Sequence, residues 1–131
     1  MPDGPVRFLL IEDEVLNRAL VRATLARADD ARLRDAELVE APTIGEGRSA
    51  LASSRFDVLL LDVRLPDGNG LELAASLPRP RPLMVALTAS VVPSPRQLAA
   101  QAGCDAFLEK PFQPRDLQEV LTRLLDGLDA A

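Results

Sequence analysis

An α/β fold around an open parallel sheet is predicted by three features of this chain. Short apolar runs alternate with helical patterns, as in a βα repeat whose strands are buried on both faces. Four of these runs lead into polar, reactive residues. Arg7-Phe8-Leu9-Leu10-Ile11 leads into Glu12-Asp13, and Val58-Leu59-Leu60-Leu61 into Asp62. Leu83-Met84-Val85-Ala86-Leu87 leads into Thr88, and Ala106-Phe107-Leu108-Glu109 into Lys110. Finally, 131 residues, 47% apolar and 27% charged, suffice for one soluble domain with its own core.

The elements follow in order. After the first strand, Leu16, Ala19, Leu20, Ala23 and Ala26 or Arg27 recur at helical spacing and predict a helix from about Glu14 to Ala28. Ala36 to Glu40 reads as a short second strand. Thr43 with Glu46 three residues on has the spacing of a capping box, although Gly45 and Gly47 weaken the helix it opens. Pro66-Asp67-Gly68-Asn69-Gly70 demands a turn before a short third helix, Gly70 to Leu77, which the prolines from Pro78 to Pro82 terminate. Ser94, Pro95 and Gln97 open a fourth helix that Gly103 ends. A last helix spans about Pro114 to Leu128, with Leu117, Val120, Leu121, Leu124, Leu125 and Leu128 inward. Residues 1–5 read as an N-terminal tail, 6–128 as the domain and 129–131 as a C-terminal tail.

Composition narrows the chemistry. A net charge of −5 gives no electrostatic reason to approach nucleic acid or an anionic membrane. No run reaches transmembrane length, and Met1 to Pro5 lacks the regions of a signal peptide. A single cysteine, Cys104, excludes an internal disulfide, and the lack of histidine argues against zinc. A reduced, cytoplasmic domain is expected.

Ligands bind at the carboxyl ends of strands in an open parallel sheet, so the polar strand ends should converge. Asp62 closes four apolar residues, and a carboxylate at the edge of a core needs a partner. It is either a turn or helix cap or a nucleophile able to form an acyl phosphate. Glu12 and Asp13 could simply stabilise a helix N-terminus. Beside Asp62, however, three carboxylates would repel one another, which a hard divalent cation such as Mg²⁺ relieves. Thr88 alone reads as an ordinary strand-end threonine, and Lys110 alone as a solvated lysine. Lys110 is nevertheless the only lysine among fifteen basic residues, and Pro111 restricts its backbone. A cis bond there would aim the side chain over the crevice.

Ile11-Glu12-Asp13-Glu14, the run from Leu61 to Gly70, Leu87-Thr88-Ala89 and Glu109-Lys110-Pro111-Phe112 together resemble the receiver domain of two-component response regulators. Glu14-Val15-Leu16-Asn17-Arg18 is similar to receivers of hybrid histidine kinases. The resemblance covers the chain from the first strand to the last helix. It implies a flavodoxin-like, doubly wound sheet of five parallel strands in the order 2-1-3-4-5, flanked by five helices. It implies that Asp62 accepts a phosphoryl group from the histidine of a sensor kinase or a histidine phosphotransfer domain. Glu12, Asp13, Asp62 and the backbone carbonyl of Arg64 would hold Mg²⁺. Thr88 would contact the phosphoryl oxygens and Lys110 would pair with them. Arg64, Ala89 and Ser90 would lie beside the phosphoryl group, with Arg64 and Ser90 influencing how fast it is lost. Thr88 and Phe107 would form the switch, acting on the face of the fourth helix, fifth strand and fifth helix. A homodimer through that face is compatible with the family. Such a domain catalyses its own phosphorylation and slow dephosphorylation and is not otherwise an enzyme. The downstream partner is not implied.

Several positions depart from the family pattern. Phe107 replaces the frequent tyrosine and can signal only by packing. The 27–35 link is long, the 70–82 segment short, and Pro93 and Pro95 would stiffen the entrance to the fourth helix. Two other readings remain. One is a phosphorylation-independent interaction module with the same fold. The other is a haloacid dehalogenase-type phosphatase, which needs a second acid where Arg64 stands.

Overall fold

Strands that are apolar on both faces must be covered on both, and this requirement organises the domain. The computed structural model describes residues 4–89 and 103–130. Its first half runs β1 (Arg7–Ile11), α1 (Val15–Ala26), α2 (Ala31–Arg34), β2 (Glu37–Ala41), α3 (Ile44–Ser53) and β3 (Val58–Asp62). The second half runs β4 (Arg64–Leu65), β5 (Gly68–Asn69), α4 (Gly70–Ser76), β6 (Leu83–Thr88), β7 (Ala106–Glu109) and α5 (Pro114–Ala130). Five strands form one parallel sheet in the order β2-β1-β3-β6-β7, the doubly wound 2-1-3-4-5 arrangement. β4 and β5 make a separate two-residue antiparallel hairpin within the Arg64–Asn69 turn.

Side chains alternate strictly across the sheet. Phe8, Leu10, Val58, Leu60, Val85 and Leu87 face α1 and α5, where they pack with Val21, Leu25, Leu117, Leu121 and Leu125. Leu9, Ile11, Leu59, Leu61, Met84 and Ala86 face α3 and α4, meeting Ile44, Leu71, Leu73 and Ala74. One-residue alternation thus builds two cores from the same five strands.

The helices follow the expected pattern with corrections. α1 is two residues shorter than expected at its C-terminal end, and its buried stripe is Val21, Thr24 and Leu25, not the predicted series. Leu16 is 81% exposed and Val15 67%. Most of the predicted stripe is alanine, which carries little burial energy, and its Leu16 turns to solvent. The longer Val21 and Leu25 decide which face turns inward, and Thr24 can follow because its hydroxyl donates to the Leu20 carbonyl. The long 27–35 link contains α2, capped by Asp30 and tied to α5 by Arg32, which reaches Asp126 and Asp129. α5 itself continues to Ala130, past the expected Leu128. Thr43 caps α3 as expected, its hydroxyl accepting from the Glu46 amide. The predicted fourth helix from Ser94, with Ser90 and the Pro93–Pro95 stretch, lies outside the described residues.

Candidate functional site

Register alone brings the strand ends together. Ile11 pairs with Leu61, so Glu12 follows β1 level with Asp62 at the end of β3. Asp62 pairs with Leu87, placing Thr88 one step on, and Thr88 pairs with Glu109, placing Lys110 one step further. Each functional residue is therefore carried on, or immediately after, the terminal residue of a rigid strand.

Side-chain geometry closes the set. The Lys110 ammonium donates to Glu12 Oε1 at 2.5 Å and to Asp62 Oδ2 at 3.0 Å. The second oxygen of each carboxylate is also held: the Glu14 amide donates to Glu12 Oε2 and the Arg64 amide to Asp62 Oδ1. Glu12 has no exposed surface, and Asp62 and Thr88 are buried. Burial pulls the Lys110 pKa down, but the bonds to Glu12 and Asp62 and their charges outweigh it and hold the ammonium above its ordinary value. The Lys110–Pro111 peptide, whose isomer the sequence left open, is cis.

Oxygens of Glu12, Asp13 and Asp62 lie within 4.8 Å of one another. A compact set of carboxylates, one of them exposed, suits a hard divalent cation that keeps part of its water shell. The residues present therefore fit Mg²⁺. Beside them opens a cleft of about 450 Å³ lined by Asp13, Glu14, Asp62, Val63, Arg64, Thr88, Ala89 and Lys110. It admits a small anion between a basic side chain, a hydroxyl and the acids.

The response regulator receiver domain model matches residues 8–122. This chain belongs to that family. The KDP operon transcriptional regulatory protein KdpE of Escherichia coli is 33% identical over 111 residues, which cover 84% of this chain and 47% of that protein. The aerobic respiration control sensor protein ArcB of Escherichia coli is 31% identical over 137 residues, covering 98% of this chain and 16% of that protein. The receiver domain thus spans less than half the length of these curated relatives. Among solved structures, the CheY-like response regulator receiver domain protein from Methanospirillum hungatei superimposes with a TM-score of 0.85 at 27% identity, covering 97% and 98% of the two chains.

Of the positions expected from sequence, Glu12, Asp13, Asp62, Arg64, Thr88, Ala89 and Lys110 gather in this receiver site. Phe107 does not line the cleft; it is half-buried and packs on the α3–α4 side of the sheet. Ser90 lies outside the described residues.

Three supporting residues escaped the sequence reading. Asp67, taken only as a turn residue, accepts the amides of Ile44 and Gly45 across to α3, and these bonds hold its carboxyl below the usual range. Gly70 lies so close to the Asp62 carbonyl oxygen that a Cβ would run into it. Arg18 donates from Nη1 to the carbonyls of Glu12 at 2.9 Å and Asp13 at 3.1 Å. Arg18 alone left a trace in sequence, as a basic residue one helical turn past Glu14.

Proposed function

We propose that this receiver domain accepts a phosphoryl group on Asp62 from the phosphohistidine of a sensor kinase or a histidine phosphotransfer domain. The observation that carries the reading is Lys110, whose ammonium bridges Glu12 and Asp62 at the wall of an open cleft. An Asp62 carboxylate oxygen attacks phosphorus, the new O–P bond forms as the N–P bond breaks, and the imidazole leaves. The bonds from Lys110 and the Arg64 amide keep Asp62 in one orientation before the donor arrives. Lys110 then turns its charge to the phosphoryl oxygens, with the Thr88 hydroxyl at the adjacent strand end as a further donor. Glu12, Asp13, Asp62 and the Arg64 carbonyl would hold a magnesium ion, which would supply charge neutralisation for the incoming phosphoryl oxygens.

The domain acts once per phosphoryl group rather than turning over a substrate, and slow hydrolysis resets it. Output passes through the face formed by β7, α5 and the predicted fourth helix, the last of which lies outside the described residues, with Thr88 and Phe107 as the moving parts; a homodimer through that face would suit this output. Among the described residues no helix is long and apolar enough to cross a membrane. A cytoplasmic location goes with the proposed kinase donors and with the free thiol of Cys104.

Acetyl phosphate with MgCl2, read by intact mass, tests the assignment. One phosphoryl adduct is expected on the wild type and none on Asp62→Asn or after chelation. Equal uptake by Asp62→Asn would remove the nucleophile from the scheme. A beryllofluoride complex that leaves partner affinity unchanged would favour a phosphorylation-independent module.

A further inference from the structure

Asp13 is the exposed member of the acid trio, and its aim is set by the backbone on either side of it. Its Cα sits between two peptide planes, one carrying the Glu12 carbonyl and the other the Asp13 carbonyl. Arg18 Nη1 donates to both carbonyl oxygens, so a single guanidinium fixes both planes. The second plane is also held from its opposite edge, where the Glu14 amide donates to Glu12 Oε2 at 3.3 Å.

The guanidinium is itself restrained. Arg18 lies on the first turn of α1, and its Nε sits 3.5 Å from Glu40 Oε1 on the edge strand β2. Arg22, one turn further along α1, takes Glu40 through two bonds of 2.9 and 2.8 Å. The Arg18 side chain is 19% exposed and that of Glu40 24%, so this pair is partly shielded from water, while Arg22 at 58% lies at the surface. A lysine could reach the two carbonyls, but only the planar fork of arginine also meets Glu40.

We infer that Arg18 is a positioning residue that tunes divalent-cation affinity by fixing the peptide planes flanking Asp13, with Glu40 holding the guanidinium in place. The inference rests on the proposed magnesium site. Its mechanism is pre-organisation. With Arg18 in place, Asp13 enters the coordination shell without first paying to order the turn; without it, the cation must do the ordering. The effect belongs to metal binding and leaves the Asp62 chemistry at saturating cation untouched.

The test is an NMR titration of ¹⁵N-labelled protein with MgCl2 at constant ionic strength, for wild type, Arg18→Met, Arg18→Lys and Asp13→Asn. Arg18→Met keeps the apolar stem and removes every donor; its Mg²⁺ Kd is expected to rise about tenfold, the low end for an outer-shell contact. Arg18→Lys retains a donor for both carbonyls and is expected to fall between wild type and Arg18→Met. Melting temperatures in EDTA check that each variant folds, and if Arg18→Met does not, a weakened Kd in Arg18→Lys carries the test. Acetyl phosphate uptake by the Arg18 variants is expected to lag at low Mg²⁺ and recover fully at saturation. A wild-type Kd in the folded Arg18 variants overturns the inference, as does slow uptake that saturating Mg²⁺ fails to restore. A wild type that shows no Mg²⁺ shifts, like Asp13→Asn, overturns the metal site and this inference with it.

Discussion

Replacing Lys110 with methionine removes the charge and keeps a side chain of similar reach. What remains is a pair of carboxylates with almost no access to water, since Glu12 is fully buried and the Asp62 side chain is 9% exposed. Taking one partner from a buried ion pair typically costs ~3–5 kcal/mol, because the other charge is stranded. The cleft is open on the Asp13 side and the Lys110 side chain is itself 14% exposed, so water can relieve part of that cost. The low end, about 3 kcal/mol, is expected. For a domain of this size, that corresponds to a fall in Tm of about 10 °C.

Circular dichroism melts in EDTA at neutral pH measure it. The double variant Lys110→Met with Asp62→Asn should recover part of the loss, because one stranded charge is gone. The difference between wild type and Lys110→Met also has a defined pH range. The folded lysine pKa is raised, so its contribution is present below the ordinary value of about 10.5 and is lost as pH rises through the higher folded value. An unchanged or higher Tm for Lys110→Met at neutral pH would refute the claim that this lysine holds the acid pair in place.

Other outcomes follow from single contacts. Gly70→Ala should destabilise by about 1–3 kcal/mol, since its Cβ must displace the Asp62 backbone; a melt within experimental error of wild type would contradict this. Asp67 has a lowered pKa, so its hold on α3 is present above the ordinary 3.8 and lost as pH falls through the folded value. Asp67→Ala should therefore speed amide exchange at Ile44 and Gly45 at neutral pH, and unaltered protection would count against the cap. Burial first, and then the Asp105 charge, push the Cys104 thiol up to about 11 against an opposite pull from Arg81. Iodoacetamide should label it slowly at pH 8 and faster toward pH 11; labelling at the rate of an exposed cysteine at pH 8 would contradict that burial.

The local pattern of the chain determined a good deal by itself. Apolar runs such as Val58–Leu61, short and alternating with helical patterns, read as central strands because every residue is apolar and both faces must be covered. Thr43 names its own helix start, since the capping hydroxyl and the amide it accepts are three residues apart. The carboxylates, hydroxyl and ammonium were legible only jointly: each alone has an ordinary reading, but all of them at the ends of strands in one parallel sheet point to one site. Local pattern also set the starts of α3 and α5 and both limits of α4 to within a residue or so.

Other features depend on residues distant in the chain, and only the tertiary structure decided them. Gly47 looked like a flaw in a helix, yet a Cβ there would strike the Ile11 side chain, so the glycine lets α3 lie against β1. The face of α1 that turns inward was misread because alanine periodicity is a weak signal, while packing of Val21 and Leu25 against the sheet is a strong one. α2 is held by Arg32 reaching across to α5, about a hundred positions later in the chain, and no local rule exposes such a pairing. Asp67 and Arg18 belong to the same class: their side chains bond backbone groups, which carry no residue identity, so neither contact can be paired from sequence even where, as for Arg18, the residue itself stands out. Residue type and local spacing therefore reveal which groups can do chemistry, whereas the contacts that aim those groups arise only when the strands come into register.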